Sequence, residues 1–330
     1  MDPSQMGRNQ TLQFFTRSLA AFQSSRDAFR VLSTVPPSAS APGKASRRPV
    51  RKLIILDSSF NPPTRAHAQM ARSAVREAGP GAKLMLLLAV QNADKGVVPA
   101  ALEVRLGMME GLARELVHGD DGFETGTEEA RTRNTDRDGG GDDGLVVDLA
   151  VTTMPFFHDK AKSIAESGIY DSDGEAEQVF LCGFDTVIRI FNPKYYVDQP
   201  STPSTRSLHP SSQPLDNSEQ LQPVQRALGP FFARAKLRVT MRPDDEWGTA
   251  EEQRMYVESL EKGGLEGVGG DKAWARRIEL VEGVEGVVSS SMVRRVVRDY
   301  GGDDDGGALD DLVGGEVRRW IRGERLYKKE

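Results

Sequence analysis

Residues 53–67 read Leu-Ile-Ile-Leu-Asp-Ser-Ser-Phe-Asn-Pro-Pro-Thr-Arg-Ala-His, an apolar run followed by a polar turn. The run Leu53–Leu56 is short and entirely apolar, as in a strand that is buried on both faces of a parallel sheet. Pro62-Pro63 cannot continue a strand and predicts a turn. Apolar residues then recur at helical spacing until Gly79-Pro80, which ends the pattern. The stretch therefore predicts a strand, a turn and a helix in direct succession.

His67 falls in the first turn of the predicted helix, three residues after Thr64. The first turn of a helix has unpaired backbone N–H groups and the positive end of the helix dipole, and both attract anions. An imidazole at this place can donate a hydrogen bond to a phosphate oxygen. The stretch therefore indicates a phosphate site. An ordinary Asn-Pro-Pro turn, with Thr64 as a helix cap and His67 as a structural residue, would give the same pattern.

Strand-like and helix-like segments alternate along the chain from Lys52 to Cys182. Repeated β-α units predict an α/β fold, a Rossmann-like doubly wound parallel sheet with helices on both faces. Such a sheet binds ligands at the carboxyl ends of its strands. We expect an N-terminal helix before this sheet and C-terminal helices after it. With 330 residues, 38% of them hydrophobic, the chain can form one large core or two modest ones.

Three segments interrupt this pattern with Gly, Asp, Ser and Pro in place of apolar residues: 119–144, 198–223 and 301–307. Segments of this composition cannot bury enough apolar surface to offset the entropy lost on ordering. We therefore expect them to be disordered insertions within a single domain that spans residues 52–330.

Residues 1–51 differ in character from the rest of the chain. Their apolar spacing predicts an amphipathic helix over Gln10–Leu32, followed by a Pro/Ser/Ala-rich basic linker over Ser33–Arg51. Met1–Lys52 has nine basic and two acidic residues, a net charge of +7 against −13 for the remainder. The helix must dock on the main domain or on a protein partner. Its charge fits a solvated surface, an anionic partner or a mitochondrial presequence.

Composition also argues against several classes of protein. No apolar run reaches the length of a transmembrane helix, which predicts a soluble protein without a membrane partner. Cys182 is the only cysteine, so an intrachain disulfide is impossible, which fits a reducing compartment, the cytoplasm or nucleus. The chain has four histidines, which argues against a histidine-rich metal cage. We expect no specific nucleic-acid partner, and an oligomer is compatible with the sequence.

The stretch that ends at His67 resembles the (H/T)xxH signature of the nucleotidylyltransferase superfamily, in the form Gly-Ser-Phe-Asn-Pro-x-Thr-x-x-His of eukaryotic nicotinamide mononucleotide adenylyltransferases. Further parts of that family pattern follow in the same order. They are Lys95–Ala100 with Arg105–Met109, Phe180–Asp185, Val239–Arg242, Val288–Arg294 and the closing segment Val317–Tyr327. The leading helix and the sequence Leu-Asp-Ser-Ser-Phe-Asn-Pro-Pro resemble a fungal adenylyltransferase-like branch.

The resemblance implies an adenylyltransferase that joins ATP and nicotinamide mononucleotide, or nicotinate mononucleotide, to give NAD, or its deamido form, and pyrophosphate. It implies Mg²⁺ that is bound with ATP, without protein metal ligands. The catalytic residues expected from the family pattern are His67, Thr64 and Arg294. Those expected to bind ATP and its phosphates are Ser58, Ser59 and Phe60, through backbone N–H groups, with Gly183, Asp185, Arg242, Ser289, Ser290 and Ser291. Those expected to bind the mononucleotide are Lys95, Phe157 and Tyr196.

Structural roles are open alternatives for several of these residues. Ser289–Ser291 fits an ordinary helix cap, and Lys95 fits a solvated loop lysine. Gly183 and Asp185 fit a tight turn with a helix-capping carboxylate. The functional interpretation depends on the two signatures, at His67 and at Ser289–Ser291, lying together in the fold.

Two departures from the family pattern bear on function. Ser58 stands where the family has glycine, so a side chain lies beside the phosphates. Leu149-Ala150 stands where the family has an aromatic residue that stacks on the pyridine ring. Phe157, with Tyr195 or Tyr196, is expected to replace it, although core packing also explains Phe157. Two other functions therefore remain open: transfer to another acceptor or from CTP, and a nucleotide-binding interaction protein that has lost synthesis.

Overall fold

The computed structural model describes residues 3–37, 50–90, 100–118, 144–171, 175–196, 222–242, 247–283, 288–300 and 307–328. The three expected insertions lie outside the described residues except at their boundaries. Lys95 and most of the basic linker also lie outside them.

Strands and helices alternate along most of the described chain. The strands are β1 (Phe29–Val35), β2 (Lys52–Asp57), β3 (Ala82–Ala89), β4 (Val147–Thr152), β5 (Glu177–Gly183), β6 (Ala235–Thr240) and β7 (Ile278–Val281). The α-helices are α1 (Pro3–Gln23), α2 (Arg65–Ala78), α3 (Leu102–His118), α4 (Phe157–Glu166), α5 (Phe184–Ile190), α6 (Pro223–Arg234), α7 (Ala250–Ser259), α8 (Ser290–Tyr300) and α9 (Gly315–Gly323).

The strands form one sheet in the order β1-β4-β3-β2-β5-β6-β7. β1 runs antiparallel to β4, and the other neighbouring strands are parallel. From β2 the chain moves outward through β3 and β4, then returns to β5 and moves outward in the opposite direction. This is a doubly wound sheet, so the predicted fold class is confirmed. Its switch point lies between β2 and β5, where such sheets bind ligands.

Helices cover both faces of the sheet, which explains why β2 is a continuous apolar run. Ile54 and Leu56 pack into the core beneath α1, α2, α3, α8 and α9. Leu53 and Ile55 pack into the second core, beneath α4, α5, α6 and α7. A strand buried on both sides has no polar face, so its sequence does not alternate. The first residue after β2, Ser58, therefore leaves the sheet at its centre.

The N-terminal segment differs from its prediction. The helix ends at Gln23 rather than Leu32, and Phe29–Val35 forms the edge strand β1. The Ser25 side chain ends the helix, because its hydroxyl donates to Phe22 O (2.7 Å) and accepts from Asp27 N–H (3.2 Å). Such local side-chain bonds compete with helical ones.

The apolar face of α1 docks on the main domain, which is one of the two alternatives that the sequence left open. Phe15, Leu19 and Phe22 are at most 5% exposed and belong to the same core as Ile54. Since β1 also completes the sheet, a boundary at residue 51 cuts through a single hydrogen-bonded unit. Of the described helices, none has the length and hydropathy needed to cross a bilayer.

Candidate active site

The hydroxyl and the imidazole predicted at the start of α2 come together. The backbone N–H of Thr64 donates to His67 Nδ1 (3.1 Å), and Thr64 Oγ1 lies 2.8 Å from the same nitrogen. His67 Nε2 lies 2.9 Å from Ser58 Oγ. Both ring nitrogens of His67 therefore have partners within the turn that links β2 to α2.

These contacts determine which ring nitrogen of His67 carries the proton. A backbone N–H can only donate, so Nδ1 accepts and has no proton of its own. The neutral ring then carries its proton on Nε2, and Nε2–H donates to Ser58 Oγ. Burial, and secondly the charge of Arg242, lowers the pKa of His67 from 6.5 to about 4. His67 is thus an uncharged hydrogen-bond donor at neutral pH.

Phe60 supports the His67 ring from inside the turn. Its side chain is fully buried, and the two ring centroids are 5.5 Å apart. Phe60 has φ of 47°, in the left-handed region that a non-glycine residue occupies at a cost of roughly 1–2 kcal/mol. Burial of the aromatic ring offsets that cost. Strained residues of this kind cluster at functional sites.

The start of α8 is attached to the same turn, although the two segments are more than two hundred residues apart in sequence. Ser289 caps α8, since its Oγ accepts from Met292 N–H (3.2 Å). Ser290 Oγ donates to the carbonyl of Pro62 (2.8 Å). The N-termini of α2 and α8 therefore lie side by side, and both present the positive end of a helix dipole.

Arg294 makes the second connection between α8 and the turn. Its Nη1 donates to the carbonyl of Asn61 (2.6 Å), and its Nη2 donates to Ser291 Oγ (3.0 Å). The guanidinium is thereby held across the gap between the two helix N-termini. It places a permanent positive charge there.

Three residues that the sequence analysis did not assign also hold the turn. Tyr327 OH donates to Asn61 Oδ1 (2.9 Å). Arg105 is 2% exposed and donates to the carbonyls of Ala100 (2.9 Å) and Ser59 (3.5 Å). Burial lowers the pKa of Arg105, and the charge of Arg294 acts in the same direction. Asn61, Arg105 and Tyr327 all lie in segments that resemble the family pattern, which was the available signal.

Gly183, Asp185 and Arg242 meet at the carboxyl ends of β5 and β6. A Cβ atom on Gly183 would lie 2.8 Å from Asp185 Oδ1 and 3.9 Å from Arg242 Cδ. Gln253 is fully buried; it accepts from Arg242 N–H (3.2 Å) and donates to the Arg242 carbonyl (3.0 Å). Of these residues, Arg242 is close enough to His67 for its charge to lower the pKa of the imidazole.

A buried ion pair that the sequence analysis did not predict lies beneath the turn. Lys160 Nζ of α4 is 2.5 Å from Asp57 Oδ2 at the end of β2, and both side chains are at most 7% exposed. Lys160 also lies 5.4 Å from the ring centroid of Phe157. Asp57 is close enough to raise the pKa of the buried Cys182 thiol, to which burial and then Asp185 contribute more. The pair therefore ties α4 to the strand that carries the turn.

The two aromatic residues expected to bind the mononucleotide lie in the second core. Phe157 is half-buried and packs on Phe180, with ring centroids 5.4 Å apart. Tyr196 is 7% exposed, and its hydroxyl donates to the carbonyl of Ile190 (2.6 Å). In the described part of the chain, neither residue has a hydrogen bond or ring contact with the turn at Ser58–His67. Only Phe157 approaches it, by way of Lys160.

One of the three backbone N–H groups that were expected to bind phosphates is already hydrogen-bonded within the protein. Ser58 N–H donates to Leu87 O of β3 (3.3 Å), so that group is not available to a phosphate. The N–H groups of Ser59 and Phe60 have no acceptor among the described residues. The structure thus brings together Ser58, Thr64, His67, Ser290, Ser291 and Arg294 in one hydrogen-bonded unit. Gly183, Asp185 and Arg242 lie opposite, and Lys95 is outside the described residues.

Comparison with known proteins gives one informative relative. A comparison with models of protein families finds no match. A Schizosaccharomyces pombe protein named "Putative nicotinamide mononucleotide adenylyltransferase" is 30% identical to this chain over 250 residues, which cover 75% of this chain and 76% of the relative.

Two solved structures of Plasmodium falciparum nicotinic acid mononucleotide adenylyltransferase also match. One is complexed with NaAD and the other with APC, at 10% and 11% identity. Each match covers 84% of this chain and 97% of the other, with a TM-score of 0.44. The S. pombe relative, at 30% identity over 75% of this chain and 76% of its own length, shows the family. On that evidence the chain belongs to the nicotinamide mononucleotide adenylyltransferase family, a family of nucleotidyltransferases.

Proposed function

We propose that this protein is an adenylyltransferase that joins ATP and nicotinamide mononucleotide, or nicotinate mononucleotide, with release of pyrophosphate. The observation that carries the proposal is the pair of helix N-termini at the switch point, locked together by Ser290 and Arg294 beside the donor His67. Helix N-termini with an adjacent guanidinium are suited to a polyphosphate. The identity of the phosphate acceptor, a pyridine mononucleotide, is inferred from the family to which the chain belongs.

The reaction needs no protein nucleophile. A phosphate oxygen of the mononucleotide attacks the α-phosphorus of ATP, so a new P–O bond forms. The bond between that phosphorus and the oxygen bridging to the β-phosphate breaks, and its electrons leave with pyrophosphate. The protein has to align the two phosphates and stabilise the negative charge that gathers on the leaving group.

The residues of this chain supply both requirements. His67 donates its Nε2–H to Ser58 Oγ within the turn, and it does not take a proton from the substrate, because its lowered pKa keeps the ring neutral. Arg294 and Arg242 bring positive charge to the turn from two sides. The N–H groups of Ser59 and Phe60 face no protein acceptor among the described residues and are proposed to bind ATP phosphates. The absence of a Cβ on Gly183 leaves room for the Asp185 carboxylate, which we propose as the ribose partner.

We propose that Mg²⁺ enters with ATP and neutralises phosphate charge during transfer. Phosphate oxygens and water satisfy most of the octahedral shell of Mg²⁺ in such sites. In the described ranges, no three His, Cys, Asp or Glu side chains lie close enough together to form a metal cage. The nearest carboxylate of the turn, Asp57, is engaged by Lys160.

We also propose that Phe157 and Tyr196 contribute to the wall of the mononucleotide site, with Lys95 near its phosphate. The position of Phe157 beside Lys160 and the end of β2 supports this.

For the cellular location of the protein, we propose the cytoplasm or nucleus. The core position of Phe15 and Phe22 supports retention of residues 1–51, since removal of α1 would expose the core.

A direct assay tests the proposed function. The purified full chain is incubated with Mg²⁺ and ATP and with either mononucleotide, and product and pyrophosphate are quantified. We expect the dinucleotide and pyrophosphate in equal amounts, and a loss of two or more orders of magnitude on His67→Ala in a variant that is still folded and unfolds cooperatively. CTP and other phosphorylated acceptors form the comparison panel. Absence of product with both pyridine mononucleotides would refute the acceptor assignment.

A further inference from the structure

The side-chain hydroxyl of Ser58 lies next to Nε2 of His67, the one ring nitrogen that can donate a hydrogen bond. The distance from His67 Nε2 to Ser58 Oγ is 2.9 Å, so this hydroxyl occupies the direction in which the ring presents its proton. A phosphate oxygen cannot take that bond while Ser58 Oγ holds it. The hydroxyl therefore either blocks the histidine or passes its hydrogen bond on to the ligand.

The directions of the hydrogen bonds decide between these alternatives. Thr64 N–H donates to Nδ1, which leaves Nε2 as the protonated nitrogen and makes Ser58 Oγ an acceptor. A hydroxyl that accepts one hydrogen bond still has its own O–H to donate. Within the described residues, Ser58 Oγ has no other partner, and its side chain is half-buried rather than enclosed. Its O–H is thus free to face a ligand.

The surroundings of Ser58 indicate what that ligand is. The side chain leaves the end of β2 at the switch point, beside the two helix N-termini and the charges of Arg242 and Arg294. Among the described residues, no carboxylate hydrogen-bonds to the Ser58 hydroxyl, and the neighbouring carboxylate of Asp57 is engaged by Lys160. An oxyanion is the acceptor that such a positive, donor-rich place favours.

We propose that the Ser58 hydroxyl donates directly to an oxygen of the ATP phosphates, and that His67 acts on the phosphate through Ser58. His67 Nε2–H polarises the hydroxyl, and a donor that also accepts a hydrogen bond is the stronger donor. Thr64, His67 and Ser58 then form a relay of hydrogen bonds that ends at the phosphate, with no proton transferred. Serine at this place is a functional group rather than an obstruction. The inference rests on the proposed function for the identity of the ligand.

Kinetics of Ser58 variants test the relay. We expect Ser58→Ala to lower kcat/KM by about 10- to 100-fold, the usual loss for one hydrogen bond to a charged group. Ser58→Gly should lose less, because the smaller residue leaves room for a water molecule to replace the hydroxyl. Ser73→Ala is the matched control: Ser73 lies on α2 and its hydroxyl accepts from Arg238, away from the turn. An Ala or Gly variant of Ser58 that equals or exceeds the wild type overturns the proposal.

A double-mutant cycle separates the relay from two independent contacts. If His67 acts through Ser58, His67→Ala should cost much less in the Ser58→Ala background than in the wild type. Equal costs in both backgrounds overturn the relay. Nitrogen-15 NMR of the ring provides a second readout. The free chain should show His67 with its proton on Nε2, and a proton on Nδ1 overturns the argument.

Nucleotide binding keeps this test distinct from that of the proposed function. If the wild type binds ATP with Mg²⁺ in calorimetry but makes no dinucleotide, the acceptor assignment fails. The role of the Ser58 hydroxyl is then tested by the affinity for ATP alone. Ser58→Ala should weaken ATP binding about tenfold and Ser73→Ala should leave it unchanged. Equal affinity of Ser58→Ala and wild type overturns the inference, and a wild type that neither reacts nor binds ATP overturns both proposals.

Discussion

Lys160 and Asp57 form an ion pair in the second core, and replacement of Lys160 by methionine removes one of the two charges. Their side chains are 6% and 7% exposed, and Lys160 Nζ lies 2.5 Å from Asp57 Oδ2. Methionine has a similar length and fills the same space beside Phe157. The substitution therefore tests the charge with little change in packing.

The expected loss follows from burial. When one partner of a buried pair is removed, the other charge stays out of water without compensation, which costs roughly 3–5 kcal/mol. A loss of 1 kcal/mol lowers the melting temperature of a domain of this size by about 2 °C. Lys160→Met should therefore lower it by roughly 6–10 °C. The double variant Asp57→Leu/Lys160→Met should recover most of this loss, since a buried pair and apolar residues of similar volume are often equally stable.

The same helix provides the control. Lys162 lies two residues further along α4, is 66% exposed and pairs with Glu166 at 3.8 Å. Lys162→Met should change the free energy of unfolding by less than about 1 kcal/mol, as is usual for an exposed pair. Urea and thermal unfolding of the wild type and the three variants give all the values. If Lys160→Met costs no more than Lys162→Met, the pair does not stabilise α4 against β2 and the reasoning is refuted.

Three further predictions concern the turn and the residues opposite it. Tyr327→Phe removes the hydrogen bond to the buried Asn61 Oδ1 and should cost about 1–3 kcal/mol in urea unfolding, so no change would contradict it. Gly183→Ala displaces the flexible Asp185 side chain; the KM for ATP should rise about tenfold while stability changes by less than about 1 kcal/mol. His67 has a pKa lowered from 6.5 to about 4, so between these pH values the unfolded chain binds a proton that the native chain does not. The free energy of unfolding should therefore fall as the pH falls through this window, and His67→Gln should remove that component.

Much of the sheet was predictable from sequence because its central strands are apolar without interruption. The predicted helix Arg65–Ala78 has the bounds found for α2, and Ser290–Tyr300 has those of α8. Both helices have clear start signals. Before α2, Pro62-Pro63 cannot continue the strand, so the helix has to begin after them. Strand β1 was not predicted: Phe29–Leu32 was assigned to the helix because its apolar residues continue the spacing of α1, and Ser33–Val35 was assigned to the linker. The signal that could have corrected this is the Ser24-Ser25 pair, whose hydroxyls donate to the carbonyls of Ala21 and Phe22 in the last turn of the helix.

The connections within the site were less predictable than its residues. Sequence placed His67 and Ser289–Ser291 at helix starts, and family resemblance placed them near each other. It could not show that Ser290 donates to Pro62 O, because a hydroxyl near a helix start is usually read as a cap for its own helix. Nor could it reveal Lys160 and Asp57 as partners, since 103 residues separate them and each alone fits an exposed position.

Residues 1–51 contain α1 and β1, which are part of the fold, so a binding surface for a protein partner cannot be tested by deletion of this segment. Deletion of this segment would remove β1 from the sheet and Phe15, Leu19 and Phe22 from the core, at about 1.5–3 kcal/mol for each buried side chain. Loss of a partner after such a deletion would therefore report unfolding as readily as a binding surface. The part of α1 available to a partner is its outer face, where Phe14 is 46% exposed beside Gln10 and Arg17. Because the side chains of that face are not among the buried residues of the core, substitutions confined to it are the ones that can separate recognition by a partner from folding.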